Sequence, residues 1–463
     1  MQLHLDWSAY RDAGMGDVYA DIPKLGGDFA KGVAVCINSR QCEADGKGLM
    51  CPSFRVTGNP DLSTGGRVRL LKRALNADSA QALLDDRLLA EAMDQCIACK
   101  GCKRECENNV DMALIKAEYL AQRNARQGLS WRSRLFAHLP RWLHRYSWLR
   151  YPVRWRNRWH WLARLMQRGL GIAAGRRLPE SSGSFVQPVQ TLPANQAPDE
   201  ALPEVVLLLD TFTRYYQPDI ADAALTVLQA AGYRALVATT RADSKESDRP
   251  LCCGRTYLAQ GMIDEARYEA GRLLDALLPH VRAGRLVVGL EPSCLLGLRD
   301  DYLALGLGEE ARELAGAALL FEEFLAKEHM AKRLKLPLKA PHSEADTVSL
   351  VHGHCHQKAV GAMKSMRRVL KLIPGQRFEI IDAGCCGMAG TFGLEQEHSA
   401  ISENMAQSAL FPALDEAPEA RVVANGFSCR QQIAAHDNRS VLHLVQLLRD
   451  ALDDSCVQTR APG

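Results

Sequence analysis

Four cysteines near the start of the chain have a spacing that can hold an iron–sulfur cluster. They are Cys96, Cys99, Cys102 and Cys106, in the pattern C-x2-C-x2-C-x3-C. Three closely spaced thiolates can wrap one [4Fe–4S] cube, and the fourth usually ligates a neighbouring cluster. Structural zinc also uses four thiolates, but normally in two separated pairs. The spacing therefore favours a [4Fe–4S] cluster over zinc.

A looser set of cysteines precedes this motif and predicts a second [4Fe–4S] cluster. It consists of Cys36, Cys42 and Cys51. In a crossed arrangement, Cys51 would join the first three cysteines of the later motif, and Cys106 would join Cys36 and Cys42. The second cluster is then one ligand short. Either a non-cysteine group supplies this eighth ligand, or the loop uses its cysteines differently.

Adjacent cysteines recur in the C-terminal half of the chain. The triplet Cys252-Cys253-Gly254 returns as Cys385-Cys386-Gly387, and a Ser-Cys pair follows each triplet. The later copy offers a second candidate metal, cluster or redox site at Cys355, Cys385, Cys386, Cys429, His354 and His356. The earlier copy offers a less complete set at Cys252, Cys253, Cys294 and Asp210.

Several kinds of chemistry fit these two sets of residues. Four thiols with nearby imidazoles can bind zinc or an additional iron–sulfur cluster. Adjacent cysteines can also form a labile, redox-active disulfide. The structural alternative is that the cysteines pack as small buried apolar residues.

The elements that must position these residues alternate between short apolar runs and helical periods. Runs after residues 204, 234 and 285 predict strands, and runs after residues 346, 377 and 420 predict strands in a second unit. Such alternation favours parallel sheets covered by helices, with sites at the carboxyl ends of the strands. We predict a multidomain protein with an α-helical, ferredoxin-like domain that holds two [4Fe–4S] clusters, followed by two repeated α/β units. The predicted boundaries are 1–125 for the ferredoxin-like domain, 126–200 for a basic helical linker, and 201–335 and 345–455 for the two units.

The linker is rich in arginine and tryptophan. Residues 131–177 contain twelve arginines, six of the seven tryptophans and no acidic residue. Pro140 and Pro152 divide the segment into short helices. Arg with Trp on such helices suits an anionic membrane surface, or docking of a partner or another part of the chain. No recognised motif accompanies the stretch to favour nucleic acid.

Overall composition predicts a reducing compartment. The chain has 463 residues, fifteen of them cysteines, and a formal net charge of +3. No signal peptide or run of about 20 apolar residues is evident, so we expect a cytoplasmic protein that can associate peripherally with the inner face of a membrane. Clustered thiols in that compartment indicate metal or redox chemistry rather than disulfides. Cys456 stands alone and is assigned no role.

Three motifs extend the N-terminal pattern, at residues 48–57, 63–67 and 96–113. Together they resemble the iron–sulfur half of a bacterial family that fuses an FAD-linked oxidase domain to a ferredoxin-like domain and a cysteine-rich region. The oxidase domain is of the D-lactate and D-2-hydroxyglutarate dehydrogenase type, and in related systems such as glycolate oxidase the halves are separate subunits. The resemblance covers most of residues 30–450 and implies that FAD sits on a partner subunit.

The repeated triplets resemble the cysteine-rich CCG domain of heterodisulfide reductases, which holds a noncubane iron–sulfur cluster in the best-known members. This chain departs from the full pattern. Asp210 stands where the first cysteine belongs in the earlier copy, and each copy closes on a single cysteine after Glu291-Pro-Ser or Gly426-Phe-Ser. Neither copy therefore has the five thiolates of the full pattern.

The sequence therefore predicts an oxidoreductase subunit that relays electrons from an FAD-linked 2-hydroxy-acid dehydrogenase to quinone or another acceptor. One alternative is a catalytic thiol–disulfide subunit like those of heterodisulfide reductases, which the missing cysteines disfavour. The other is an iron–sulfur sensor or binding protein, although a DNA-binding helix-turn-helix is not apparent. The substrate and the final acceptor are left open.

Overall fold

The N-terminal part of the protein is helical. The computed structural model describes residues 2–17, 19–44, 48–77, 82–186, 202–341 and 348–453. The N-terminal helices are α1 (Asp28–Ala34), α2 (Pro52–Thr57), α3 (Thr64–Leu75), α4 (Ala82–Asp85), α5 (Arg87–Asp94), α6 (Gly101–Glu105) and α7 (Met112–Gln127). Side-chain caps fix where the longer ones begin: the Ser63 hydroxyl accepts from Gly66 N at 2.8 Å, and the Asp111 carboxylate accepts from Leu114 N at 3.0 Å.

Four short helices follow, as the two prolines predict. They are α8 (Trp131–Ala137), α9 (Leu139–Arg145), α10 (Arg150–Arg158) and α11 (His160–Leu170). Pro140 and Pro152 each lie in the first turn of a helix, where a missing backbone N–H breaks no hydrogen bond. No helix in the described ranges is long and apolar enough to cross a membrane.

The first α/β unit contains a four-stranded parallel sheet. Its strands are β1 (Glu204–Leu208), β2 (Arg234–Val237), β3 (Leu286–Gly289) and β4 (Ala318–Leu320), in the order β2-β1-β3-β4. Its helices are α12 (Thr211–Tyr216), α13 (Pro218–Ala230), α14 (Arg255–Leu258), α15 (Ile263–Arg282), α16 (Pro292–Arg299), α17 (Gly308–Ala317) and α18 (Phe321–Met330).

The second unit has a sheet of the same design. Its strands are β5 (Val348–Val351), β6 (Arg377–Ile380), β7 (Arg421–Val423) and β8 (Val441–Leu442), in the order β6-β5-β7-β8. Its helices are α19 (Cys355–Ala359), α20 (Met363–Leu370), α21 (Ser399–Gln407), α22 (Leu410–Asp415), α23 (Phe427–Asp437) and α24 (Leu444–Asp450). Parallel sheets are confirmed, whereas β4 and β8 were missed because each has at most three residues and no apolar run distinct from the following helix.

The two sheets share one hydrophobic core. Leu228 of α13 and Leu448 of α24 belong to the same buried cluster, together with Val351 at the end of β5. The two units therefore pack against each other through this shared core. The domain boundaries remain a prediction, and residues 200, 201, 345 and 455 and Cys456 lie outside the described ranges.

A buried ion-pair network holds the N-terminal part against the first unit. Lys100 Nζ lies 2.5 Å from Asp300 Oδ2 and 2.5 Å from Asp301 Oδ1, and all but 8% of the lysine is buried. Arg255 also contacts Asp301, at 3.0 Å. Burial lowers the pKa of Lys100, but these carboxylates raise it by more. The amine therefore stays charged.

This network predicts a large stability loss when one partner is removed. We expect Asp301→Asn to lower the free energy of unfolding by about 3 kcal/mol, because it leaves buried cations with one carboxylate fewer. Urea unfolding of the anaerobically purified protein measures the change. The control is Asp264→Asn, which removes an exposed pair with Arg267 and should cost less than about 0.5 kcal/mol. Equal effects of the two substitutions would contradict the role given to the network.

Candidate functional site

All seven N-terminal cysteines lie at helix ends or in turns of the ferredoxin-like part. Five are buried, and the remaining two, Cys42 and Cys106, are half-buried. Burial raises the pKa of Cys36, and the neighbouring thiols of Cys106 and Cys42 raise it further. Contact with Cys42 and burial raise the pKa of Cys51, and Cys102 is a weaker electrostatic neighbour. The neighbours of Cys36 agree with a crossed arrangement, whereas the contact between Cys42 and Cys51 joins the two predicted ligand sets. The assignment of each ligand therefore remains a prediction.

Backbone amides and buried cations surround these thiols as an iron–sulfur site requires. Thr64 N donates to Cys51 Sγ at 2.9 Å, and Gly65 N donates to Cys42 Sγ at 3.2 Å. Arg67, which is 2% exposed, lowers the pKa of Cys51 against the larger effects of contact with Cys42 and burial. N–H donors and positive charge stabilise thiolates, so the residues present fit the cluster ligands that the sequence predicts.

By position in the sequence, Ser39 corresponds to the thiol that the first motif lacks. This residue stands three positions after Cys36, as Cys99 stands three positions after Cys96, and its side chain is exposed. The first motif is therefore C-x2-S-x2-C, with a hydroxyl in place of the missing thiol. Comparison of the two motifs position by position could have found this residue from the sequence.

The second α/β unit brings its four thiols together at one edge of the sheet. Cys355 begins α19 after β5, the pair Cys385-Cys386 follows β6, and Cys429 lies in α23 after β7. All four are buried. Contact with Cys385 raises the pKa of Cys355, and burial adds to the effect. The prediction that parallel strands deliver these residues to one place agrees with the observed topology.

The predicted histidines have local structural partners. His354 Nδ1 accepts from His356 N at 3.1 Å and so caps α19. Its ring also fills the space beside Gly426, where an added Cβ would lie 2.3 Å from His354 Cδ2. Since Gly426 stands where the full pattern has a cysteine, the imidazole replaces that side chain in space. His356 Nε2 turns away to Ala98 O, at 3.2 Å.

Sequence reasoning missed His352, which directly follows β5. Its side chain is 1% exposed and lies among the thiols of Cys386 and Cys429. A histidine next to a buried strand is common in protein cores, so only the folded positions of the two cysteines distinguish it.

In the first unit, carboxylates stand at two positions where the predicted repeat would have thiols. Asp210 caps α12 by accepting from Phe212 N at 2.8 Å, and Glu291 accepts from Phe427 N, across the unit boundary, at 2.7 Å. Burial and the charge of Glu291 raise the pKa of Asp210 to about 6. Cys253 Sγ lies 2.9 Å from Cys294 Sγ, and Cys252 is buried beside them.

The cysteines of both units line a single cavity of about 1150 Å³. The loop at Cys96, Ile97 and Ala98 contributes to the same wall. Apolar side chains of the helical segment also line the cavity, among them Phe136, Leu139, Leu143, Val153 and Met166. The predicted linker is therefore part of the site and does not merely connect two domains.

Two family models match the chain. A model described as a 4Fe-4S dicluster domain matches residues 32–110, and one described as a cysteine-rich domain matches residues 349–434. These matches define the class: an iron–sulfur protein in which a 4Fe-4S dicluster domain precedes a cysteine-rich domain. The first α/β unit lies outside both matches.

The chain is related to named dehydrogenases. It is similar to D-2-hydroxyglutarate dehydrogenase of Escherichia coli, with 22% identity over 91% of this chain and 44% of that protein. The C subunit of anaerobic glycerol-3-phosphate dehydrogenase of Escherichia coli is 27% identical over 62% of this chain and 69% of that subunit. The chain thus spans less than half the length of the D-2-hydroxyglutarate dehydrogenases that it matches. The predicted relationship to iron–sulfur proteins of dehydrogenases is confirmed.

One histidine ties the helix that precedes Cys96 to the second unit. The protonated ring of His398 donates to Asp94 Oδ2, at 2.8 Å, and to Glu395 Oε2, at 2.9 Å. The ring also stacks on Phe392. Burial lowers the pKa of His398, but the two carboxylates outweigh it and raise the pKa to about 9.

This raised pKa predicts a pH-dependent contribution to stability. The contribution is complete below the ordinary histidine pKa of about 6.5 and is lost as the pH rises through about 9. We expect His398→Gln to lower the free energy of unfolding by about 2 kcal/mol at pH 6, a value reduced for solvent screening at Asp94, and by under about 0.5 kcal/mol at pH 10.

Urea unfolding at the two pH values measures this difference. The control is His436→Gln, which removes a more exposed contact with Asp415 at 2.8 Å and should cost less than about 0.5 kcal/mol at pH 6. If the effect of His398→Gln did not change with pH, the residue would stabilise the fold through packing alone and not through its charge.

Proposed function

We propose that this chain is the iron–sulfur electron-transfer part of an FAD-dependent 2-hydroxy-acid dehydrogenase. A partner flavoprotein would oxidise the hydroxy acid, and this chain would carry the electrons to an acceptor in the cavity. A [4Fe–4S] cluster, when bound, takes up and releases one electron at a time. The chain's own residues would hold the cluster, shield it from water and adjust its reduction potential through their charges.

The observation that carries the proposal is the position of Cys99. It belongs to the same buried cluster as Cys355 and Cys385, although it comes from the ferredoxin-like part. After burial, the charge of Cys355 is the largest influence that raises the pKa of Cys99. Cys96 of the N-terminal motif lines the cavity itself, together with Ile97 and Ala98. An acceptor in the cavity would therefore lie next to the electron donor.

Fixed positive charge near Cys96, Cys99 and Cys102 supports electron uptake. Lys100 lies between two of these cysteines, and Lys116 Nζ donates to Cys96 O at 2.5 Å. Each electron that arrives adds negative charge, which nearby cations stabilise in a low-dielectric surrounding. The charge of Lys100 is balanced by Asp300 and Asp301, so Lys116 is the cation that supports electron uptake here.

The lengths of the relatives support a flavoprotein partner. This chain spans 44% of the D-2-hydroxyglutarate dehydrogenase of Escherichia coli, so more than half of that protein lies outside the matched part. The glycerol-3-phosphate relative is named a subunit. We therefore place FAD and the hydroxy-acid site on a partner subunit.

Thiol–disulfide chemistry is the second candidate, and one distance favours it. Cys253 Sγ and Cys294 Sγ are 2.9 Å apart at the cavity wall, close enough to join with little movement. Contact with Cys253 lowers the pKa of Cys294. Burial and the negative charges of Asp210 and Glu291 outweigh that effect and raise the pKa, however. A protonated thiol is a poor nucleophile, so electron relay is the stronger proposal.

The arginine- and tryptophan-rich helices suit a membrane surface. Trp155, Trp159 and Trp161 are exposed and stacked, with ring centroids 6.2 and 6.1 Å apart. The other side of the same segment lines the cavity. A quinone could thus pass from lipid to the cavity, which makes peripheral association with the inner face of a membrane part of this proposal.

Metal analysis tests the cluster sites. Two [4Fe–4S] clusters would give about eight iron atoms per anaerobically purified chain, and we expect Cys99→Ser to remove about four. Cys456→Ser is the control and should remove none. Fewer than about three iron atoms in the unaltered chain, with zinc in their place, would contradict the iron–sulfur assignment.

Purification from the native host should also recover an FAD protein, and a chain that is repeatedly flavin-free would contradict the proposed partner.

Vesicle binding tests the membrane surface. Each surface arginine contributes about 1 kcal/mol to binding of anionic lipid, so Arg158→Gln combined with Arg164→Gln should weaken binding about thirtyfold. Co-sedimentation with phosphatidylglycerol vesicles measures it. The control combines Arg241→Gln and Arg312→Gln, which remove exposed charges elsewhere and should have little effect. Binding equal to that of neutral phosphatidylcholine vesicles would rule out an electrostatic membrane surface.

A further inference from the structure

Three side chains converge in the second unit, one from the end of each of three neighbouring strands. His352 follows β5, Cys386 follows β6 and Cys429 follows β7. A ring nitrogen of His352 and the sulfur atoms of Cys386 and Cys429 all lie within 4.8 Å of one another. Ligands on a tetrahedral zinc ion would lie about 3.5–3.8 Å apart, from Zn–S and Zn–N bonds of about 2.3 and 2.0 Å. Small side-chain movements would therefore bring these atoms to one ion.

The imidazole of His352 is buried without hydrogen bonds to the described residues. The side chain is 1% exposed, and neither ring nitrogen has a hydrogen-bond partner in the described part of the chain. His443, also 1% exposed, shows the usual arrangement: its Nε2 contacts Leu290 O at 3.1 Å and its Nδ1 accepts from Val445 N at 3.1 Å. A buried polar group without a partner costs roughly 1–3 kcal/mol, so a ligand for His352 would remove a real penalty.

The first unit shows that this position does not require a histidine. Leu208 of β1 corresponds to His352, because the preceding residues Leu207 and Val351 accept equivalent hydrogen bonds from Ala238 N and Ile381 N in sheets of the same strand order. Leu208 is 4% exposed. The fold therefore accepts an apolar residue at this point, and the imidazole of the second unit is specific to that unit.

We propose that His352, Cys386 and Cys429 bind a single zinc ion. Two thiolates and one imidazole form the Cys₂His ligand set of a zinc site that keeps a fourth position open. Cys386 and Cys429 line the cavity, whereas His352 does not. An ion held by these residues would therefore lie at the cavity wall, where a water molecule or an oxygen atom of a bound ligand can fill its fourth position.

The other groups at this site leave room for that assignment. His354 Nδ1 is occupied by a backbone N–H, and Cys355 and Cys385 contact each other. Lys358 Nζ donates to Gly384 O at 3.0 Å, just before the cysteine pair. Zinc with two thiolates is neutral overall, so the nearby ammonium group meets no net cation. The proposal does not depend on the flavoprotein partner.

Replacing His352 by leucine tests the site directly, because the first unit has leucine at the matching position. The full chain is expressed in zinc-supplemented medium, purified without oxygen and analysed for zinc and iron. We expect about one zinc ion per unaltered chain, at least tenfold less in His352→Leu and Cys429→Ser, and no change in the exposed control His160→Leu. Zinc K-edge X-ray absorption should show mixed sulfur and nitrogen ligands, with the nitrogen contribution lost in His352→Leu.

Two outcomes would overturn the proposal. Full zinc content in His352→Leu would show that the histidine is not a ligand. Loss of iron, and not zinc, in Cys429→Ser would show that the thiols hold an iron–sulfur cluster. The electron paramagnetic resonance signal of the N-terminal clusters reports folding in every variant, and an unchanged signal separates loss of the ion from loss of the fold. Zinc content does not depend on electron transfer, so failure of the proposed electron relay would leave this result unchanged.

Discussion

The buried ammonium group of Lys100 is the contact on which the placement of the cysteine sites depends. It projects from the loop between Cys99 and Cys102 and reaches two carboxylates of the first α/β unit. One of them, Asp301, is shared with Arg255, whose Nη2 lies 3.2 Å from His356 Nε2 in the second unit. Three parts of the chain thus meet around a few charges that are largely withdrawn from water. Because these charges are buried, they tolerate only arrangements in which all of them are paired.

This junction explains why one cavity serves thiols from distant parts of the chain. Parallel sheets deliver their cysteines to one edge, and the shared core turns the edges of both sheets toward each other. The loop before Lys100 then fits against that edge through His356 and Ala98. The helical segment with the arginines also lines the cavity, and its Arg132 pairs with Glu397 of the second unit. Covering and positioning of the site are therefore separate tasks, done by different elements.

Much of this architecture could be predicted from the sequence because it rests on local signals. Apolar runs located β1, β3 and β5 to within a residue, and prolines located the starts of α9 and α10. Spacing identified the N-terminal thiols, and the recurrence of the cysteine pair identified the two later sets. Each of these features depends on residues that are neighbours in the chain.

Features that depend on distant residues could not be predicted. His352 looks like a core histidine until Cys386 and Cys429 are placed beside it, and residues 131–170 look like a linker until their apolar side meets the cysteines. The pair Lys100–Asp301 has no sequence signature, since both residues are common on surfaces. Burial converts these ordinary residues into determinants of the site, and burial is set by tertiary packing.

The separation of Lys100 from its carboxylates has a consequence for synthesis of the chain. Asp300 and Asp301 lie 200 and 201 residues further along. At about 5–20 residues per second, a ribosome needs about 10–40 seconds to reach them after Lys100 is made. During that interval the ammonium group lacks both of these carboxylates, and the first unit does not yet cover the loop that carries Cys99 and Cys102. The growing chain therefore presents these thiols to its surroundings before the second half of the molecule can cover them.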